Sequence, residues 1–195
     1  MTVILTDCDG VLLNWRDPFD FWMMQEQGIF PEGDTRVYDQ VERYNIDKDR
    51  MKRYVRDFNG SANIGYLPPL YDSVKYVRKL YEEHGYTFIC ITSLSLNKYA
   101  HRLREKNLKK IFGDTVFDEF VFLDTGADKD EALEYFANLY PGAFWLEDKV
   151  ENAKCGKKFG LESLLIKHIH LKTEDTDGIP VMSSWKEVYN TITGQ

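Results

Sequence analysis

Five short apolar runs punctuate this chain: Val3–Thr6, Tyr86–Thr92 (YTFICIT), Glu119–Leu123 (EFVFL), Ala143–Leu146 (AFWL) and Leu164–Ile166. They are too short for helices and are built of β-branched, aromatic and leucine side chains, so they read as buried strands. Helical periodicity fills the gaps. Tyr71–Glu83, after Pro68 and Pro69, puts Val74, Val77, Leu80 and Tyr81 on one stripe. Asn97–Leu108, Asp130–Leu139 and Glu151–Lys158 follow, and Trp185–Thr191 reads as a short closing helix. Strands alternating with helices predict an α/β fold, a doubly wound parallel sheet with helices on both faces.

In such a sheet, chemistry gathers beyond the carboxyl ends of the strands. That rule selects Asp7 and Asp9 after the first strand, and Thr92 and Ser93 after the second. Asp124 follows the third strand, and Glu147 and Asp148 the fourth. Acids and hydroxyls are therefore expected along one edge.

One stretch breaks the alternation, from Leu13 to about Tyr66. It is dense in aromatics, with Trp15, Phe19, Phe21, Trp22, Phe30, Tyr38, Tyr44, Tyr54 and Phe58. Periodicity over Phe19–Glu26 and Asp47–Phe58 predicts helices. The stretch reads as a mostly helical cap, residues 13–66, inserted into a core of residues 1–12 and 67–195. Its rings are expected to form a small core of their own, with one or two lining the cleft. The polar tail Thr173–Ile179 reads as loop.

The 195 residues suit one domain with an inserted subdomain, and 43% hydrophobic content suffices for a packed core. A net charge of -7 argues against a long nucleic-acid footprint but leaves room for a small anionic substrate. No signal peptide and no apolar run of membrane-spanning length is expected. Cys8, Cys90 and Cys155 form an odd set without paired spacing, which suits a reducing, cytoplasmic setting and small buried side chains. Ionised neighbours would keep Cys8 a thiol.

The segment TDCDG puts two carboxylates one residue apart at a strand end. As solvent-facing acids they would need no explanation. A calcium loop fails, because Leu5 and Arg16 occupy its first and last ligand positions. Phosphoryl transfer explains the pair. One carboxylate attacks phosphorus. The other protonates the leaving oxygen and later takes a proton from water. Magnesium would keep the nucleophile ionised, and needs one or two protein carboxylates beside substrate phosphate.

That chemistry demands groups elsewhere, and the chain supplies candidates in order. Thr92 and Ser93 can bind a phosphate oxygen. Lys129, at a helix start, can neutralise charge on the phosphoryl group and the nucleophile. Glu147-Asp148 offers a second metal carboxylate. Asn152, opening the next helix, could brace Asp148.

In this combination the sequence resembles the haloacid dehalogenase (HAD) superfamily of phosphotransferases. The matching stretches are DCDGV at Asp7–Val11, ICITS ending at Ser93, Lys129, and LEDKVEN at Leu146–Asn152. The resemblance implies a Rossmann-like core with a cap after the first strand. It implies Asp7 as nucleophile, Asp9 as general acid/base, and magnesium held by the Asp7 carboxylate, the Asp9 backbone carbonyl and Asp148. Gly10, Glu147 and Asn152 would support them. Within the superfamily the chain looks most like the 5'(3')-deoxyribonucleotidases, which have an aromatic soon after the first motif. That makes Trp15 a candidate base-stacking residue, against the alternative that it packs the cap hinge. Glu147 stands where many relatives have Asp, and Val150 replaces a typical proline. Arg16, beside the motif, is a candidate substrate contact.

Other features carry less. His168 and His170 read as solvated strand residues, Lys109-Lys110 as a helix-end charge pair, and Lys98 as a solvent-facing rival to Lys129. The expected activity is hydrolysis of small phosphomonoesters, nucleotide monophosphates first. A polynucleotide 3'-phosphatase, a sugar phosphatase and a non-catalytic binding module are the alternatives. Neither long nucleic acid nor a membrane is an expected partner.

Overall fold

The computed structural model describes residues 2–32, 37, 39–168 and 176–195. Its centre is a sheet of six parallel strands in the order β3-β2-β1-β4-β5-β6. The strands are β1 (Thr2–Thr6), β2 (Tyr86–Ser93), β3 (Phe117–Leu123), β4 (Phe144–Glu147), β5 (Glu162–Ile166) and β6 (Val181–Met182). Five of them match the apolar runs. The sixth was not anticipated: two residues are too short to carry a periodic signal, and only the ladder Leu165–Val181 and Ile166–Met182 defines it.

Both faces of the sheet are covered, as parallel strands require. Side chains of β1 alternate between two cores. Ile4 joins a large cluster on one face, while Val3 and Leu5 pack on the other with Ile89, Ile91 and Trp145. The helices following the insertion are α4 (Ser73–His84), α5 (Lys98–Phe112), α6 (Asp130–Leu139), α7 (Val150–Lys158) and α8 (Trp185–Thr193). Trp185 is buried and donates its indole N–H to the Val11 carbonyl at 2.8 Å, tying α8 to the loop after β1.

Between β1 and α4 lie α1 (Arg16–Glu26), α2 (Gln40–Tyr44), α3 (Lys48–Gly60) and a 3-10 helix, Ala62–Tyr66. Aspartate side chains start two of these helices: Asp39 accepts from the Val41 N–H, and Asp47 from the Arg50 N–H. The chain leaves and re-enters side by side. Asn14 N–H bonds the Pro68 carbonyl, and Leu70 N–H bonds the Leu12 carbonyl. Trp15 stacks on Phe19 with centroids 4.5 Å apart, and Phe58 meets both rings edge-on. These rings do not form a separate core. Phe19, Trp22, Tyr44 and Phe58 are continuous with the large cluster beneath the sheet. Tyr38 and His170 lie outside the described residues, as does the tail up to residue 175.

Candidate active site

The strand order reverses at β1. After β2 and β3 build outward on one side, the chain crosses to lay β4 on the other. The crevice between the carboxyl ends of β1 and β4 is therefore the topological switch point. Asp7 and Asp148 meet there, and the Asp7 N–H donates to the Leu146 carbonyl at 2.8 Å.

The loop after β1 turns tightly. The Cys8 carbonyl accepts from the N–H groups of Leu12 and Leu13, both at 2.9 Å. Gly10 has φ +80°, and a Cβ there would lie 2.3 Å from Asp148 Oδ2. Both the left-handed backbone and the close approach require glycine.

Lys129, at the start of α6, is buried. Its Nζ lies 2.9 Å from Asp7 Oδ1 and 2.8 Å from Glu147 Oε2. Glu147 is fully buried and saturated. Oε2 also accepts from Asn152 Nδ2, while Oε1 accepts from the N–H groups of Asp148 and Lys149. Asn152 thus braces Glu147, not Asp148 as the sequence suggested. A glutamate reaches one bond further than aspartate, far enough to meet Lys129.

Burial pushes the Asp7 carboxyl up to about 6, helped by the Glu147 charge and opposed by Lys129. Burial also pushes Asp148 up to about 6, helped by the Asp7 charge. Burial favours neutral Lys129, but Asp7 and Glu147 outweigh it and hold the ammonium charged.

Oxygens of Asp7, Glu147 and Asp148 lie within 4.8 Å of one another. Glu147 is already occupied, which leaves Asp7 and Asp148 as donors. Two buried, mutually repelling carboxylates are a hard-oxygen set that suits magnesium. The donor set fits the ion.

Thr92 and Ser93, at the end of β2, both line the cleft. The Ser93 hydroxyl donates to the Ala127 carbonyl at 2.8 Å, fixing the loop that carries Lys129. Thr92 Oγ1 makes no hydrogen bond among the described residues, so of the two it is the hydroxyl open to a ligand. Asp124 caps its own turn, accepting from the Thr125 N–H.

Asp9 has a partner that sequence reasoning missed. Arg104, on α5 and fully buried, forks onto its carboxylate through Nη1 and Nη2, the second contact at 3.2 Å. Nη1 also lies 2.8 Å from Cys8 Sγ. Burial raises the Asp9 pKa, and Arg104 opposes the rise. Nothing local in EKN or HRLR distinguishes Arg104 from a solvated helix arginine. Cys8 and Cys90 are buried and Cys155 half-buried, and all three are free thiols. Cys155 is thus less enclosed than expected.

His168 also differs from expectation. It lies beyond β5 at the cleft, where Nε2 donates to the Gly10 carbonyl at 2.7 Å and sits 3.8 Å from Asp148 Oδ2. Lys98 is exposed and outside the cleft. Trp15 lines the cleft while its ring is held by Phe19 and its N–H donates to Asn59 Oδ1 at 2.9 Å. Trp15 thus packs within the cap, as one of its two sequence alternatives expects, and also borders the cleft. Arg16 lines the cleft and donates to the Val37 carbonyl. Tyr71, expected within a helix, precedes it. It is 86% exposed, has φ +34°, and stands at the cleft. The whole cleft encloses about 1020 Å³.

This sheet order, with helices inserted after β1 and acids at the β1/β4 crevice, is the fold of the haloacid dehalogenase-like hydrolases. A hydrolase of the haloacid dehalogenase-like family from Streptococcus pneumoniae superposes with a TM-score of 0.70 at 15% identity, covering 98% of both chains. A predicted phosphatase from Clostridium acetobutylicum gives 0.71 at 16% identity, covering 100% of this chain and 99% of its own. The D,D-heptose 1,7-bisphosphate phosphatase of B. bronchiseptica, complexed with magnesium and phosphate, gives 0.63 at 13% identity over 100% of this chain and 99% of its own. In sequence, the chain is 23% identical over 198 residues to an uncharacterized 32.4 kDa protein from the Gp30-rIII intergenic region of Enterobacteria phage T4. That match covers 97% of this chain and 69% of the relative. No family model matches the chain. No helix among the described residues is long and apolar enough to cross a membrane.

Proposed function

We propose that the protein is a magnesium-dependent phosphomonoester hydrolase that works through an aspartyl-phosphate, with a nucleotide monophosphate as its first-choice substrate. The observation that carries this is the buried quartet of Asp7, Lys129, Glu147 and Asp148 at the switch point. Two buried carboxyls pushed toward neutrality side by side in a cleft are the pattern of a functional site.

Asp7 attacks phosphorus through a carboxylate oxygen, and the bond to the ester oxygen breaks. Asp9 gives its proton to the departing alkoxide. It then takes a proton from the water that attacks the aspartyl-phosphate, and inorganic phosphate leaves. Lys129 stays charged and offsets the charge that builds on the phosphoryl oxygens, with the Thr92 hydroxyl as a further donor. Asp7, Asp148 and the Asp9 carbonyl would hold magnesium, which supplies Lewis-acid charge at the phosphoryl group. Arg104 fixes where Asp9 stands.

A nucleotide fits the cleft on two counts. Its volume of about 1020 Å³ is at the upper end of small-molecule sites. Trp15 lines the cleft beside the catalytic loop. The division into a core of residues 1–12 and 67–195 and a cap of residues 13–66 belongs to the same proposal, as does a cytoplasmic, thiol-preserving setting.

The test is phosphate release from nucleotides, sugar phosphates and a 3'-phosphorylated oligonucleotide, with and without magnesium. Release that needs magnesium and vanishes in Asp7→Asn is expected. Release that ignores chelation overturns the mechanism, and no release from any substrate would favour a non-catalytic binding module.

A further inference from the structure

Helix α3 carries five cations, Lys48, Arg50, Lys52, Arg53 and Arg56, against two acids, Asp49 and Asp57, in a chain of net charge -7. Three of the five, Lys48, Lys52 and Arg56, recur every four residues and therefore share one face. At 1.5 Å rise per residue they form a row about 12 Å long. That face points into the same cleft as Asp7 and Asp9, and Met51, Val55 and Asn59 line the cleft beside it.

The row is exposed and uncompensated. Among the described residues, none of the three side chains has a carboxylate within 4.0 Å or a hydrogen-bond partner. Arg43, by contrast, is tied to Asp20, and Lys129 to Asp7 and Glu147. The lining as a whole inverts the sign of the protein: eight Lys and Arg side chains face five Asp, while the chain carries 25 basic against 32 acidic residues. One phosphoryl group occupies Lys129 and the magnesium donors. It cannot also span a row of three cations about 12 Å long. A cleft of about 1020 Å³ has room for a ligand that does both.

We infer that the substrate carries a second phosphate group, remote from the scissile one, and that Lys48, Lys52 and Arg56 bind it. This rests on the phosphomonoesterase reading of Asp7 and narrows its substrate from a nucleotide monophosphate to a phosphomonoester that carries a further phosphate. The second group is either the other terminus of a small bisphosphate or the phosphodiester next to a phosphorylated oligonucleotide end. A charge-assisted contact to phosphate contributes roughly ten-fold or more in affinity. Exposed cations also make that gain salt-sensitive.

Calorimetric titration of the full-length Asp7→Asn protein in magnesium buffer tests the inference without turnover. Adenosine 3',5'-bisphosphate is compared with AMP, and fructose 1,6-bisphosphate with fructose 6-phosphate. A 3'-phosphorylated dinucleotide, compared with its 3'-nucleotide, reports on the phosphodiester source. In at least one pair the ligand with the second phosphate is expected to bind about ten-fold tighter or better. The preference should shrink with salt and collapse when Lys52→Met and Arg56→Met are combined. Arg53→Met, on α3 but outside the cleft lining, should keep it. Equal affinities within every pair, or a preference that survives the double substitution, overturns the inference. Failure of the phosphatase reading would appear separately, as absent turnover by the unsubstituted protein while the binding preference stands.

Discussion

The Lys129 ammonium lies 2.9 Å from the Asp7 carboxylate with both groups buried, so the proposed nucleophile and its counter-ion come as a preassembled pair. Glu147 holds Lys129 from the other side at 2.8 Å. Removing one partner of a buried ion pair leaves an uncompensated charge. Lys129→Met should therefore abolish turnover and destabilise the protein by about 3 kcal/mol. Urea denaturation should show a larger loss at pH 8 than at pH 5, where the Asp7 carboxyl can protonate instead. A loss below about 0.5 kcal/mol would be an exposed pair's value and would contradict the burial.

Metal and pH should be linked through Asp7 and Asp148. Both carboxyls are pushed from 3.8 up to about 6 without metal. A raised carboxyl pKa means the folded state binds more protons than the unfolded chain between those values. Metal-free stability should then fall as pH rises from about 4 to about 6, and level off above that. Magnesium needs the deprotonated oxygens, so its binding should weaken as pH drops through about 6. Melting curves with and without magnesium should show a large Tm increase at pH 7.5 and little at pH 5. A magnesium effect independent of pH would contradict this linkage.

Arg104 is fully buried and forks onto Asp9, whose side chain keeps 24% of its surface accessible. Partial solvation of Asp9 softens the loss of its partner. Arg104→Met should cost about 2 kcal/mol in denaturant unfolding and lower kcat more than it raises KM, because Asp9 loses its fixed position. Combining it with Asp9→Asn should add little further loss of stability, since the two groups form one unit.

Trp15 is held by Phe19 and Asn59 while lining the cleft. If it also stacks a base, Trp15→Ala should raise KM for nucleotides by roughly ten-fold and leave KM for sugar phosphates near its original value. It should also lower Tm, through the lost ring contacts. Equal KM changes for both substrate classes would assign Trp15 to packing alone.

Strand ends were the legible part of this molecule. Asp7, Asp9, Thr92, Glu147 and Asp148 each sit where a short apolar run stops, and alternation with helices dictates that these ends share an edge. Lys129 was readable from its place at a helix start. What stayed hidden depended on long-range packing. Arg104 is 95 residues from Asp9, on a helix where Lys98, Arg102, Lys106 and Lys110 are exposed. His168 looked like a solvated strand residue until the loop after β5 brought it 2.7 Å from the Gly10 carbonyl. Strand β6 is defined by its partner and not by its own two residues. The cap aromatics announced a core, but periodicity within residues 13–66 could not tell a separate core from an extension of the main one.

Acid-quenching the protein during turnover of its best phosphomonoester in magnesium, then mapping phosphoryl groups by peptide mass, tests the nucleophile directly. The phosphoryl group should appear on the peptide containing Asp7 and be absent from Asp7→Asn, which should not turn over. Steady release of phosphate with Asp7 never modified, or an active Asp7→Asn protein, would contradict an aspartyl-phosphate mechanism at this site.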